Sequence, residues 1–215
     1  MLRICRTLCA AATLLFVFHS GGLNGSDDKS QKAQNQRSES LSTEDTAALA
    51  ACLKDFRDQK EVGSEDRHKQ TLVVDVRTGG SSWYLSNAQL TGDLEGRGWK
   101  IPIDAEFNLR RRNEHIVSLR DAQLGDKVVM DDFDRLQKLR DRSKREFGFL
   151  KVMEKAHPNF KAYVSFWLPG YTKDKSKCLV RLSFGWTAHG AGALYLLEKR
   201  DGKWTVLERA IIYYA

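Results

Sequence analysis

Hydrophobic and polar residues alternate most regularly in the last fifty residues. Ala162, Val164, Phe166 and Leu168 alternate with Tyr163, Ser165 and Trp167. After Pro169-Gly170 and a polar loop, Cys178, Val180, Leu182, Phe184 and Trp186 share one side of a strand, and Leu179, Arg181, Ser183 and Gly185 share the other. A period of two marks a strand with two different faces. Residues 193–199 predict a third strand, and Asp201-Gly202 predicts a tight reversal into a fourth over 203–214. Short connections make these four strands an antiparallel meander. One face is nearly all apolar and must be core. The other is mixed and carries Tyr163, Trp167 and Arg181.

Upstream, Leu49, Cys52, Leu53 and Phe56 recur at helical spacing. Ser42 or Thr43 opens that helix, with Glu44 and Asp45 in its first turn, where negative charge suits the dipole. The polar stretch 59–70 ends it. Residues 71–76 (TLVVDV) are short and rich in β-branched side chains, hence a strand. Thr78-Gly79-Gly80 predicts a turn, Ser82 to Leu85 another strand, and Gly92, Gly96 and Gly98 a loop. Residues 105–109 and 115–119 are read as further strands. Residues 131–156 read as helix interrupted near Gly148, with Phe147, Leu150 and Met153 as its apolar stripe and Pro158 as its stop. Its flanking charges, such as Asp141, Arg142, Lys144, Arg145 and Glu146, are mixed in sign, which describes a solvated helix face. The expected fold is α+β: an antiparallel sheet, with a C-terminal four-strand meander, covered on its apolar face by helices 43–60 and 133–156.

The start of the chain addresses it for export. Arg3 and Arg6 precede twelve uncharged residues, Thr7 to Phe18, followed by Ser20, Gly21 and Gly22. This is the pattern of a secretory signal, and its apolar run is short of the ~20 residues of a spanning helix. Residues 1–22 are therefore expected as a signal peptide, with an uncleaved signal anchor as the alternative. From Ser26 to Ser40 the only apolar residue is Ala33, so residues 23–41 read as a disordered tether that cannot offset its ordering entropy by burial. Residues 42–215 are then a single domain. The expected location is periplasmic or extracellular, with no membrane span after signal cleavage.

The chain has 35 Lys and Arg against 28 Asp and Glu, a net charge of +7. Without the first 22 residues, 33 basic residues face 28 acidic ones, a net of +5. That excess permits attraction to polyanions such as an anionic envelope polymer, and it is too diffuse for a nucleic-acid signature. Two cysteines remain in the domain, Cys52 and Cys178. In an oxidising compartment they are a possible disulfide; otherwise they are two buried thiols.

Strong catalytic or metal signatures are absent from the sequence. It has no H-E-x-x-H, C-x-x-C pair, P-loop or G-x-S-x-G elbow. Asp131, Asp132 and Asp134 lack the Gly and terminal Glu of a calcium loop. No cofactor or metal is implied. The catalytic candidate is His189 in T-A-H-G-A-G, where small neighbours allow close approach; the competing reading is a locally bonded His in a strand connection. Ligand-binding candidates are Trp167, Arg181 and Tyr163 on the mixed face. Trp83 and Trp99 are further aromatic platforms, Trp186 reads as core, and Trp204 closes the last hairpin.

F-W-L-P-G-Y-T-K-D at 166–174, L-V-R at 179–181, H-G-A at 189–191 and Y-L-L-E-K-R-D-G-K-W-T-V at 195–206 carry a resemblance. They resemble the ending of many uncharacterised bacterial secreted proteins, in which a P-G-Y-S turn precedes a strand, a Gly-rich turn and a D-G-x-W hairpin. Thr172, Lys173 and Lys175 depart from the Ser and Gly usual there. The resemblance covers about a quarter of the chain. It implies an exported bacterial protein with a β-meander, and no known activity, cofactor or catalytic residue. The expected function is a non-catalytic envelope or extracellular binding or structural domain: it binds an unknown protein or an anionic envelope polymer through the mixed face, or the chain's own loops bury that face. The alternative is a small hydrolase or lyase using His189.

Overall fold

A computed structural model describes residues 41–59, 70–80, 94, 98–143, 146–185 and 190–214. Its elements are α1 (Thr43–Asp58), β1 (Thr71–Asp75), α2 (Ile103–Arg112), β2 (Val128–Asp131), α3 (Phe133–Ser143), α4 (Glu146–Ala156), β3 (Phe160–Phe166), β4 (Gly170–Tyr171), β5 (Lys177–Gly185), β6 (Gly190–Arg200) and β7 (Lys203–Tyr214). The class is α+β. One sheet runs in the order β2-β1-β3-β5-β6-β7, with β4 paired to β5. From β3 through β7 every pairing is antiparallel, as the alternation predicts. Asp201 and Gly202 both take positive φ in the β6–β7 reversal.

The other half of the sheet is parallel: β1 pairs in parallel with both β2 and β3. Parallel strands need a long crossover, and α3 with α4 supplies it, carrying the chain from β2 over β1 to β3. This explains why β1 is buried at all five positions. A strand covered on both faces reads as a continuous apolar run.

The helices are divided between the faces. On the first face, Ala48, Leu49, Cys52, Leu53 and Phe56 of α1 pack on the inward residues of β1, β3, β5 and β6, including fully buried Phe166, Leu182 and Tyr195. On the second face, Leu136 of α3 and Met153 of α4 meet Val73, while Ala105 and Leu109 of α2 meet Leu179, Leu194, Leu196 and Ala210. Cover of the apolar face thus holds for α1, and the helices of 133–156 lie on the opposite side.

Two expected strands are corrected. Residues 105–109 belong to α2. Its buried positions are Ala105 and Leu109, one helical turn apart, and acids in its first turn with three arginines in its last suit the dipole. Residues 115–119 contribute only an isolated bridge, Ser118 to Arg77. The helical stretch 131–156 is two helices, and Gly148 falls inside the second. The strand expected at 82–85 lies outside the described residues.

α1 begins at a capping box. The Ser42 hydroxyl accepts from the Asp45 N–H, and the Asp45 carboxylate accepts from the Ser42 N–H at 2.9 Å. Asp45 is nonetheless fully buried, because Arg112 grips it through two bonds of 2.7 and 3.0 Å and the Tyr171 hydroxyl donates to it at 3.0 Å. Arg112 also donates to the Pro169 carbonyl at 2.8 Å. Gly170 lies so close to α2 that a Cβ there would stand 2.2 Å from the Ala105 carbonyl oxygen and 2.3 Å from the Leu109 nitrogen. Tyr171 and Trp204 stack with centroids 5.6 Å apart. Pro169, Gly170, Tyr171 and Trp204, all in the resembling segments, thus form a joint between α1, α2 and the meander.

Candidate functional site

The second face has apolar cover at its two ends and polar side chains between. Alternation along β3 and β5 puts Tyr163, Ser165 and Trp167 beside Gly185, Ser183 and Arg181. Ser165 is in register with Ser183, and Ser183 with Gly192; Tyr163 is in register with Gly185, and Gly185 with Gly190. Tyr163, Ser165, Ser183, Gly185 and Gly190 are all half-buried. They form a strip of small and hydroxylated residues across three strands.

The sequence assigns Trp167, Arg181 and Tyr163 to one face, and the structure brings them there. It also buries two of them. Trp167 is 4% exposed and Arg181 3%. The Arg181 guanidinium lies over the Trp167 ring, 4.5 Å from its centroid, a cation–π contact. The Trp167 indole N–H donates to the Gly80 carbonyl at 3.2 Å. Gly79 admits the ring: a Cβ there would fall 2.3 Å from Trp167 Cε2. Strand periodicity gives a side chain's face but not what the rest of the chain lays over it. The stacked pair therefore flanks one end of the strip, and Tyr163 lies at the other.

Beyond Tyr163 lies a cluster the sequence reading did not assemble. Asp75 and Asp131 end the parallel strands β1 and β2 and are register partners. Burial would raise the Asp131 carboxyl, but three donors outweigh it and hold it below the usual carboxylate range. Arg135 approaches with both Nε, at 2.7 Å, and a terminal nitrogen; His157 Nε2 is 2.7 Å away; the Asp132 N–H donates at 2.7 Å. The carboxylate only accepts, so it fixes the shared His157 proton on Nε2. Asp75 goes the other way. Burial raises it, offset only in part by the Tyr163 hydroxyl and by the N–H groups of Arg77, at 3.1 Å, and Phe133. Tyr163 is itself pushed up by burial, and Ser165 Oγ lies 3.5 Å from its hydroxyl. The Phe133 ring lies against Tyr163, centroids 5.4 Å apart, and Arg77 bridges Asp132 and Asp134 at 3.4 and 3.0 Å.

Two neighbouring carboxyls displaced in opposite directions, with a buried imidazole and a half-buried phenol, can exchange protons or hydrogen-bond a polar ligand. Asp131 and Arg135 at i, i+4 and the Asp inside an apolar strand were the available sequence signals; nothing local ties His157 to either. Among the described residues, no group of three or more His, Cys, Asp and Glu is placed to hold a metal ion. His189, Trp186 and Trp83 lie outside the described residues. Trp99 is half-buried against the α2 cluster. Cys52 and Cys178 form no disulfide; both are free, buried thiols in the first-face core, and burial raises both well above the ordinary thiol range. Comparison with family models, curated proteins and solved structures gives no match.

Proposed function

We propose that this is an exported, non-catalytic binding domain that takes its ligand on the second face of the sheet, along the strip of Tyr163, Ser165 and Ser183. One observation carries the reading: between two helix-covered ends, that face keeps half-buried hydroxyls on a rigid sheet. The buried Trp167–Arg181 stack beside them is already ordered, which limits the ordering entropy of binding. The hydroxyls and Asp75 suit a hydrogen-bonding ligand such as an envelope polymer. The test is capture from envelope extract on immobilised chain, washed at low salt and at about 0.5 M NaCl, where long-range attraction is screened. Capture that survives salt and is lost on Ser183→Glu supports the reading. Salt-resistant capture that Ser183→Glu leaves intact overturns it.

A small hydrolase or lyase is the second reading. The observation favouring it is the opposed pair Asp75 and Asp131 with His157 on the latter; His189 remains its other candidate. Turnover of an activated ester, lost on Asp75→Asn or His189→Ala in a folded protein, would put this reading first.

A further inference from the structure

The hydrogen bonds at the Tyr163 end of the strip run in one direction. Tyr163 gives its hydroxyl proton to Asp75, the buried carboxyl at the end of β1. The Tyr163 oxygen is in turn the acceptor facing the Ser165 hydroxyl, 3.5 Å away. A carboxylate only accepts, so it orients the hydroxyls that follow it. The order Ser165 to Tyr163 to Asp75 leaves the Ser165 oxygen, the last of the line, as an acceptor toward the strip. Ser183, in register with Ser165, adds a hydroxyl that can turn either way.

The cations near this line are all engaged. The Arg77 side chain turns to Asp132 and Asp134, and Arg77 gives Asp75 only its backbone N–H, at 3.1 Å. Arg135 is held by Asp131. Arg181 lies buried over Trp167, whose indole N–H goes to the Gly80 carbonyl. Lys161, two residues before Tyr163, is engaged as well. The backbone of β3, β5 and β6 is used in their ladders, so a strand-like peptide finds no main-chain partners on this face. Against Tyr163 lies the Phe133 ring, 38% exposed.

We propose that the strip selects an uncharged, hydroxyl-rich ligand, a neutral glycan chain that donates to Ser165 and rests one sugar ring on Phe133. The inference rests on the binding reading above and names its ligand class. A carboxylate or phosphate offers only acceptors, and at Ser165 it would meet another acceptor backed by the charge of Asp75. A glycan hydroxyl both donates and accepts, so it satisfies Ser165 and Ser183 alike. The C–H face of a pyranose is apolar and covers an exposed aromatic ring.

Maltohexaose, cellohexaose and chitohexaose, with hexagalacturonate as the carboxylated counterpart, are titrated onto the immobilised chain. The buffer is at about pH 8 and about 0.5 M NaCl, so carboxylates are ionised and diffuse attraction is screened. Binding of at least one neutral hexasaccharide, about tenfold or more tighter than the uronate, is expected. Phe133→Ala should weaken it about fivefold to tenfold. Phe133→Leu, which keeps apolar cover on Tyr163 and lacks the flat ring, should show a similar loss. Tyr163→Phe lets the Ser165 proton turn outward, so it should shrink the preference for neutral sugar over uronate. A purely structural Tyr163 would weaken both alike. No binding of any neutral hexasaccharide overturns the proposal, as does uronate binding of equal strength. Spermidine bound in their stead would assign the strip to a cation. These failures leave the strip standing if salt-resistant capture from extract is still lost on Ser183→Glu, so the two readings fail separately.

Discussion

Arg112 holds Asp45 through two hydrogen bonds, of 2.7 and 3.0 Å, across 67 positions of sequence. The carboxylate is wholly buried, and its four partner groups are Arg112, Ser42 through both hydroxyl and N–H, and Tyr171. This joint seats α1 on the sheet and fixes α2 beside β4. It uses the Pro-Gly-Tyr segment, so that part of the conspicuous C-terminal motif has a structural job.

Removing one member of that pair leaves the other charged and largely buried without its counter-charge. Arg112→Met or Asp45→Asn is expected to destabilise by about 3–5 kcal/mol, read from urea unfolding. Burial raises the Asp45 carboxyl, but Arg112 and Ser42 outweigh it and the net displacement is downward. Its contribution is therefore complete above the unfolded value of about 4 and is lost as pH falls through the folded one. Asp45→Asn should remove that acid-limb dependence along with the stability.

Gly170 separates packing from conformation. Gly170→Ala would drive a Cβ into the backbone of α2 at Ala105 and Leu109, and neither atom can swing aside. A loss at or beyond the ~3 kcal/mol upper range of overpacking is expected. Gly202 has φ +75° and nothing within 4 Å of an added Cβ, so Gly202→Ala should lose only about 1–2 kcal/mol of left-handed strain. Melting temperatures in the reverse order would contradict the close seating of α2.

Asp75 and Asp131 should respond to pH with opposite signs. Asp75 is raised, so its favourable contribution is present below about pH 4 and is lost as pH rises through the folded value. Asp131 is lowered, so its contribution is present above about pH 4 and lost below it. Relative to wild type, Asp75→Asn should therefore gain stability as pH rises from acid, and Asp131→Asn should lose it. Unfolding curves collected across that range, with both variants moving together, would rule out the opposed environments.

Cys52 and Cys178 are buried within the first-face core, with raised thiols. Neither should react with an alkylating reagent in the native protein, and both should react once it is unfolded. Mass mapping of the label reads this directly; a native Cys52–Cys178 crosslink would show instead as two residues blocked until reduction.

Elements whose signal is local were legible in the sequence. Period-two alternation gave the meander, and the i, i+3, i+4 spacing with Ser42 gave α1. The parallel half was hidden because its evidence is non-local. β2 has four residues, three of them apolar and consecutive, with no alternation to read. Residues 105–109 share apolar content with a strand, and only the burial of Ala105 and Leu109 one turn apart reveals the helix. The candidate face was legible from β3 and β5, but the stacking of Arg181 on Trp167 depends on Gly79 and Gly80, about ninety residues earlier. The Asp131–His157 contact spans 26 positions and has no spacing rule.

Hydrogen–deuterium exchange, with and without envelope ligand retained at high salt, tests the binding account most directly. Added protection concentrated in β3 and β5, around Tyr163, Ser165 and Ser183, is the predicted result. Protection absent from those strands and present elsewhere, on α1 or the β6–β7 hairpin, would contradict it.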